Sequence, residues 1–270
     1  MSDALSALKA GQLDQSLQLL QHDVRKRPDD ARLRVFLFQV LAVLGQWDRA
    51  LAQLGVIAEL DAGALPMVHA YREAVSCERW REQAFAGLRA PLLFGTPEPW
   101  MAQLVGALGR EVAGAAVERA AAVMQAPAIT GEIDGVPFAW LADADPRLGP
   151  MIELIANGSY YWVPMQHIAA VQTEAPCDLR DQVWLPATLS LTNGGELVGF
   201  IPSRYPGTPA SGSDALLLAR GTDWVGQGDS QLGLGQRMFA TDTADYALLD
   251  TRAIAFTHPN AGGAAAGGPE

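Results

Sequence analysis

Two cysteines in 270 residues cannot make a disulfide framework. Cys77 and Cys177 stand in no metal-type or redox-type spacing, so the expectation is two reduced thiols in a cytosolic protein. No run of 18 apolar residues occurs, and no basic-then-apolar leader opens the chain, so neither a membrane span nor export is expected. The four histidines (His22, His69, His167, His258) contain no HxxxH or HxH pair, and no metal site or cofactor is expected. Basic residues are scarce in one half. Up to Ala126 the chain has 14 acidic and 13 basic residues; from Pro127 onward it has 16 and 6, so −10 of the net −11 lies there. That imbalance argues against nucleic acid and anionic membrane as partners and leaves room for a basic or amphipathic protein.

What the chain does have is hydrophobic content of 49%, enough for a sizeable core, and an internal repeat. Gly11-Gln-Leu-Asp-Gln-Ser-Leu-Gln-Leu-Leu20 returns as Gly45-Gln-Trp-Asp-Arg-Ala-Leu-Ala-Gln-Leu54, an offset of 34 residues. That is the period of tetratricopeptide (TPR) helical hairpins. The glycine ends one helix in a left-handed cap. Leu13 and Trp47 plug the gap between helices, Ser16 and Ala50 let them approach, and Leu20 and Leu54 bury on the same face. Pro28 stops the second helix of the first unit. Two units are few for a solenoid, so neighbouring helices must cap the stack.

Asp29-Asp30 cap the next helix, which runs to about Leu44 with Leu37, Phe38 and Leu41 in its core stripe. Arg32, Val35 and Gln39 fall on another face. In a TPR hairpin that face lines the concave groove, a surface for a peptide or helix; the alternative is a solvated face. Pro66 opens a further helix to about Leu88, and helices follow at 99–109 and 111–125, joined at Gly109. Arg79, Arg81 and Arg89 read as a solvated basic face.

Near Pro127 the periodicity changes to that of strands. Residues 128–141 alternate around Asp134-Gly135, a β-hairpin signal. Asp143-Ala-Asp145-Pro146 is expected to cap a short helix over 146–156, ended by Asn157-Gly158. Strands are expected at 159–164, 167–173, 184–191, 197–201, 236–241 and 246–256, with 214–219 open between helix and strand. The Gly/Ala tail, 258–270, is expected to be disordered. The predicted architecture is α+β: TPR-like helical hairpins over 1–126, then a strand-rich mixed domain over 127–257.

Signals for chemistry are weak. Asp143 and Asp145 form a carboxylate pair that suits acid–base work, or a helix cap. His167 lies in an apolar strand, where a lone histidine is more often structural. Gly233-Leu-Gly235 does not follow a clear strand and makes a poor phosphate loop. Trp140, Tyr160, Tyr161, Trp162 and Trp184 are sheet core or an interface hot spot with Trp162 as anchor.

The stretches Phe138–Pro150, Tyr161-Trp-Val-Pro164, Asp178–Ala187, Phe200–Gly207 and Gly235-Gln-Arg-Met-Phe239 resemble the ImpE/TagJ family, also called SciE. The resemblance runs from about residue 3 to 257. It implies an accessory protein of bacterial type VI secretion, with a TPR-like N-terminal region and an α/β C-terminal region. It further implies binding of the small sheath protein TssB near its N-terminus, in sheath handling alongside the ClpV unfoldase. The family has no established catalytic residues, so none are carried over. Beside this adaptor reading stand two others: an enzyme of unknown type using Asp143, Asp145 and His167, and a scaffold that dimerises through its helices.

Overall fold

The computed structural model describes residues 2–110, 113–226 and 231–258. Helices α1 (Ser2–Lys9) and α2 (Leu13–Lys26) form one hairpin, and α3 (Ala31–Val43) and α4 (Trp47–Leu60) the next. Both tight turns close in the same way. Gly11 and Gly45 take φ of 74° and 67°, a region in which a side chain is strained. Gly11 and Gln12 N–H then donate back to the Leu8 and Ala7 carbonyls at 3.0 and 2.9 Å, and Gly45 and Gln46 repeat this on Ala42 and Leu41 at 3.0 and 2.9 Å. Leu13, Ser16, Leu20, Ala50 and Leu54 are fully buried and Trp47 nearly so. Asp30 caps α3 by accepting from Leu33 N–H, as expected. The α2 start is capped from far away, by the Asp214 carboxylate on Leu13 N–H at 3.0 Å.

Helix α5 (Leu65–Phe85) closes the stack, and α6 (Pro99–Gly106) and α7 (Ala113–Gln125) follow. The last helix ends at Gln125 and the first hairpin strand begins at Thr130. One short strand, β1 (Leu92–Leu93), comes from the proline-rich loop before α6.

The remaining chain is dominated by a nine-stranded sheet. Its members are β1, β2 (Thr130–Ile133), β3 (Val136–Phe138), β5 (Met151–Ala156), β6 (Ser159–Pro164), β7 (Ile168–Thr173), β8 (Trp184–Leu191), β9 (Glu196–Pro202) and β14 (Ala253–Thr257). Their order is β1-β6-β5-β9-β8-β7-β14-β2-β3. The β1–β6 pair is parallel and the others are antiparallel. Asp134 (φ 49°) and Gly135 (φ 79°) make the β2–β3 turn, the two-residue hairpin that Asp-Gly favours.

Strand β5 replaces the helix expected over 146–156. All six of its residues are buried. Met151 and Ile155 enter a core shared with the helices, while Ile152 and Leu154 enter a second core on the far face. A strand covered on both faces reads as a continuous apolar run, which periodicity cannot tell from a helix. Asn157 (φ 50°) and Gly158 (φ 68°) are accordingly a β5–β6 hairpin turn, not a helix end.

Two small sheets complete the fold. One is β4 (Leu141–Asp143), β12 (Met238–Thr241) and β13 (Asp245–Ala247), in the order β13-β12-β4. The other pairs β10 (Thr222–Val225) with β11 (Leu232–Gly235), so Gly233-Leu-Gly235 is a strand. Residues 214–217 are a single helical turn, α8 (Asp214–Leu217). His258 is placed, its ring nitrogen 2.7 Å from the Ile168 carbonyl; the rest of the Gly/Ala tail lies outside the described residues.

Helices and sheet share one core. Ring centroids of Trp47 and Trp184 lie 5.8 Å apart, those of Tyr71 and Phe200 5.3 Å, and those of Phe85 and Trp162 5.6 Å. The C-terminal chain also covers the helices directly: Arg204 donates to the Val43 carbonyl at 2.7 Å, and Gln39 to Asp178 at 2.9 Å.

Candidate functional site

The centre of the molecule is charged. Glu153 interrupts the apolar β5 sequence and is 0% exposed. An isolated buried carboxylate costs several kcal/mol, so it must be paired. Arg81 from α5 grips it with two hydrogen bonds, Nε to Oε1 at 2.6 Å and Nη2 to Oε2 at 3.0 Å. Arg237 Nη2 and the Tyr160 hydroxyl also donate to it, and Trp162 Nε1 donates to Tyr160 at 2.6 Å. Burial opposes the charge on Glu153, but Arg81 and Arg237 outweigh it and hold the carboxyl down at about 2.

From Glu153 the network runs both ways. On the helical side Arg81 meets Glu78 at 3.4 Å, and Glu78 accepts from Trp184 Nε1 at 3.0 Å. Burial raises the Glu78 carboxyl in spite of Arg81. On the sheet side Arg237 reaches Asp143 Oδ2 at 2.7 Å and the Pro202 carbonyl at 3.0 Å. Asp143 Oδ1 accepts from Asp145 N–H at 2.8 Å and lies 3.1 Å from the Tyr205 hydroxyl. Burial pushes Asp143 up to about 7 against the pull of Arg237. Asp145 accepts from Gly233 N–H at 2.9 Å and pairs with Arg147 at 2.5 Å.

These groups consume one another. Every carboxylate in the network already holds donors, and the space beside Glu78, Arg81 and Arg204 is about 20 Å³, room for about one water molecule. Among the described residues no three His, Cys, Asp or Glu side chains gather as metal ligands. What the network does is fix positions: it ties α5, β4, β5, β6, β8 and β11 into one register.

Open space lies on the outer side of Asp143. A groove of about 580 Å³ runs between α7, β4, β12 and β10. One wall is the α7 stripe Ala116, Ala120, Val123 and Met124; Trp140 and Trp224 also line it. Trp224 is braced by Tyr205, ring centroids 5.6 Å apart, and Tyr205 belongs to the network.

A sequence profile of the ImpE protein family matches residues 135–255. The chain is 50% identical over 253 residues, 92% of its length, to the type VI secretion system accessory component TagJ of Pseudomonas aeruginosa strain PAO1, of which it covers 89%. The chain belongs to the ImpE/TagJ family. A crystal structure of a protein from Vibrio parahaemolyticus is also similar, with a TM-score of 0.87 and 27% identity over 96% of this chain and 99% of that one. The ImpE segment holds Asp143, Asp145, Glu153, Arg204 and Arg237, whereas Glu78 and Arg81 come from the helices before it.

The residues singled out in the sequence of this ImpE/TagJ protein do not form one site. Arg32 is exposed and Val35 half-buried against the core. Gln39 is buried and bonds Asp178, so its part of the concave face is covered by the chain's own C-terminal region. Trp162 is 0% exposed between Phe85 and Tyr160, a core residue that cannot meet a partner while the sheet is intact. Asp143 and Asp145 cap no helix; they are buried ion-pair partners. His167 sits in a short 3-10 turn before β7, packed against Gly95, and shares no hydrogen bond with either aspartate. Arg81, read as solvated, is 4% exposed; Arg79 is exposed and pairs with Asp48, and Arg89 lies 3.5 Å over the Trp80 ring. Glu153 was the missed residue. One acid inside Met151-Ile-Glu-Leu-Ile-Ala156 is a signal of a buried, paired charge, and reading that segment as a helix hid it.

Proposed function

We propose that this protein is a non-enzymatic accessory protein of type VI secretion, working in the cytoplasm. It holds the small sheath subunit TssB near its N-terminus and assists sheath handling alongside the ClpV unfoldase. The observation that carries this reading is the 50% identity to an accessory component of that system, extending over both the helical and the strand-rich regions. The site chemistry supports it. A general acid or base must come within hydrogen-bond reach of a substrate proton, and here Glu78, Glu153 and Asp145 have no such access. Among the described residues no helix is long and apolar enough to cross a membrane.

The test is retention of purified small sheath subunit on the immobilised full chain, with the large sheath subunit and the unfoldase added in turn. Saturable, near-stoichiometric retention of the small subunit is expected. If nothing is retained at micromolar concentrations of either sheath subunit, the reading fails.

A further inference from the structure

We propose that the groove between α7 and the β4–β12 sheet is the docking site for a partner's amphipathic helix bearing Lys or Arg beside its apolar face. The proposal rests on the binding-protein reading above and adds the surface and the chemistry of the occupant.

The apolar residues come first. Of the aromatic residues noted in the sequence as a candidate hot spot, Tyr160, Trp162 and Trp184 are fully buried, whereas Trp140 is 41% exposed and lines this groove. Met124, also in the lining, is 85% exposed. Exposed Trp and Met that converge on one concave surface are what interfaces use as anchors.

The shape suits a helix. On α7, Ala115, Arg119 and Ala122 are buried against the protein. Ala116, Ala120, Val123 and Met124 form a separate stripe at helical spacing that faces the groove. Its two alanines present no bulk, so another helix can pack close. Ala142, Ala144, Gly149 and Ala240 are equally small, which leaves depth for larger side chains from the occupant.

Charge selects the partner. Among the described residues the lining includes Asp143 and Asp245 and no Lys or Arg. Asp143 is taken by Arg237, but Asp245 is exposed. Asp242, adjoining, accepts from Ala139 N–H at 2.7 Å, which fixes its carboxylate one residue from Trp140. A cation on the occupant is attracted; an acidic helix is repelled. The wall opposite α7 is held before any partner arrives, through Asp143–Arg237, Asp145–Gly233 and Tyr205–Trp224, so little ordering cost falls on that side on binding.

The experiment uses the full chain, the variants Ala120→Arg and Trp140→Ser, and Val198→Asp as a control at a distant exposed position. The probes are two synthetic 18-residue helices, leucine with lysine and leucine with glutamate, and the purified small sheath subunit. Fluorescence anisotropy should show the lysine peptide binding at least about tenfold tighter than the glutamate peptide. Ala120→Arg, an exposed helical site, should weaken it at least about tenfold, Trp140→Ser should weaken it as well, and Val198→Asp should change nothing. Equal affinity for both peptides, or no loss in Ala120→Arg and Trp140→Ser, overturns the proposal. If the sheath subunit binds wild type and Ala120→Arg alike, the groove is not its site and the proposal falls while the accessory reading stands. If the sheath subunit binds neither, that reading falls and the peptide result decides the groove.

Discussion

Replacing Arg237 with methionine tests the claim that the interior is held by mutually dependent charges. Arg237 is 1% exposed. Methionine keeps much of its length and removes three interactions: with Asp143 at 2.7 Å, with the Pro202 carbonyl at 3.0 Å, and with Glu153. Glu153 keeps Arg81. Asp143 keeps no cation, because Arg237 is its one ion-pair partner among the described residues. Leaving a buried charge unpaired costs about 3–5 kcal/mol, a large share of the roughly 5–15 kcal/mol that holds a typical domain. The pH dependence has a definite sign. Asp143 already stands at about 7 in the folded protein, against 3.8 as its ordinary value. Loss of Arg237 raises it further and leaves the unfolded chain unchanged. A raised carboxyl contributes stability at low pH that is lost as pH rises towards its folded value. The deficit of the variant should therefore grow between pH 6 and pH 8, by at most about 1.4 kcal/mol per pH unit. Guanidinium denaturation followed by tryptophan fluorescence and circular dichroism measures both quantities. A deficit under about 1 kcal/mol at pH 8, or one that shrinks as pH rises, would refute the reasoning. Adding Asp143→Asn to the variant should recover part of the loss, because the stranded charge is then gone.

Trp47→Ala should cost about 3–5 kcal/mol in urea denaturation, since its ring packs on Trp184 and its Nε1 donates to Glu82 at 2.8 Å; a loss below about 1 kcal/mol would contradict the repeat alignment. Asp145→Asn would be almost neutral at a helix cap, but at this buried position, paired with Arg147 and bonded to Gly233, it should cost about 1.5–3 kcal/mol, read as a lowered Tm. Gly109→Ala should cost at least about 1 kcal/mol by the same assay, because φ is 68° there and the new Cβ would fall 2.3 Å from the Ala86 carbonyl oxygen. Glu153 sits at about 2 against an ordinary 4.5, so the stability it supplies is complete above about 4.5 and is lost as pH falls through about 2; Glu153→Gln should flatten that part of the stability–pH curve.

Local features of this protein were legible in its sequence where a residue's neighbours along the chain decide its conformation. The 34-residue repeat located both helical hairpins and their left-handed glycines, since cap and packing positions recur at fixed spacing. Asp134-Gly135 marked a real hairpin for the same reason. The ImpE/TagJ motifs identified the family because they are themselves strings of residues. Features that depend on distant partners were not legible. Met151–Ala156 is a strand because helices cover one face and the second core covers the other, and its own apolar run fits a buried helix equally well. Arg81 and Arg237 lie 72 and 84 residues from Glu153 along the chain, so composition shows their charges but not that they cancel one another. Gln39 lost its place in an open concave face to Asp178, 139 residues away. The groove has the same origin: Ala120, Trp140, Trp224 and Asp245 belong to four separate segments. Periodicity is a short-range code, whereas pairing of buried charges and closure of surfaces are set by which segments meet when the chain compacts.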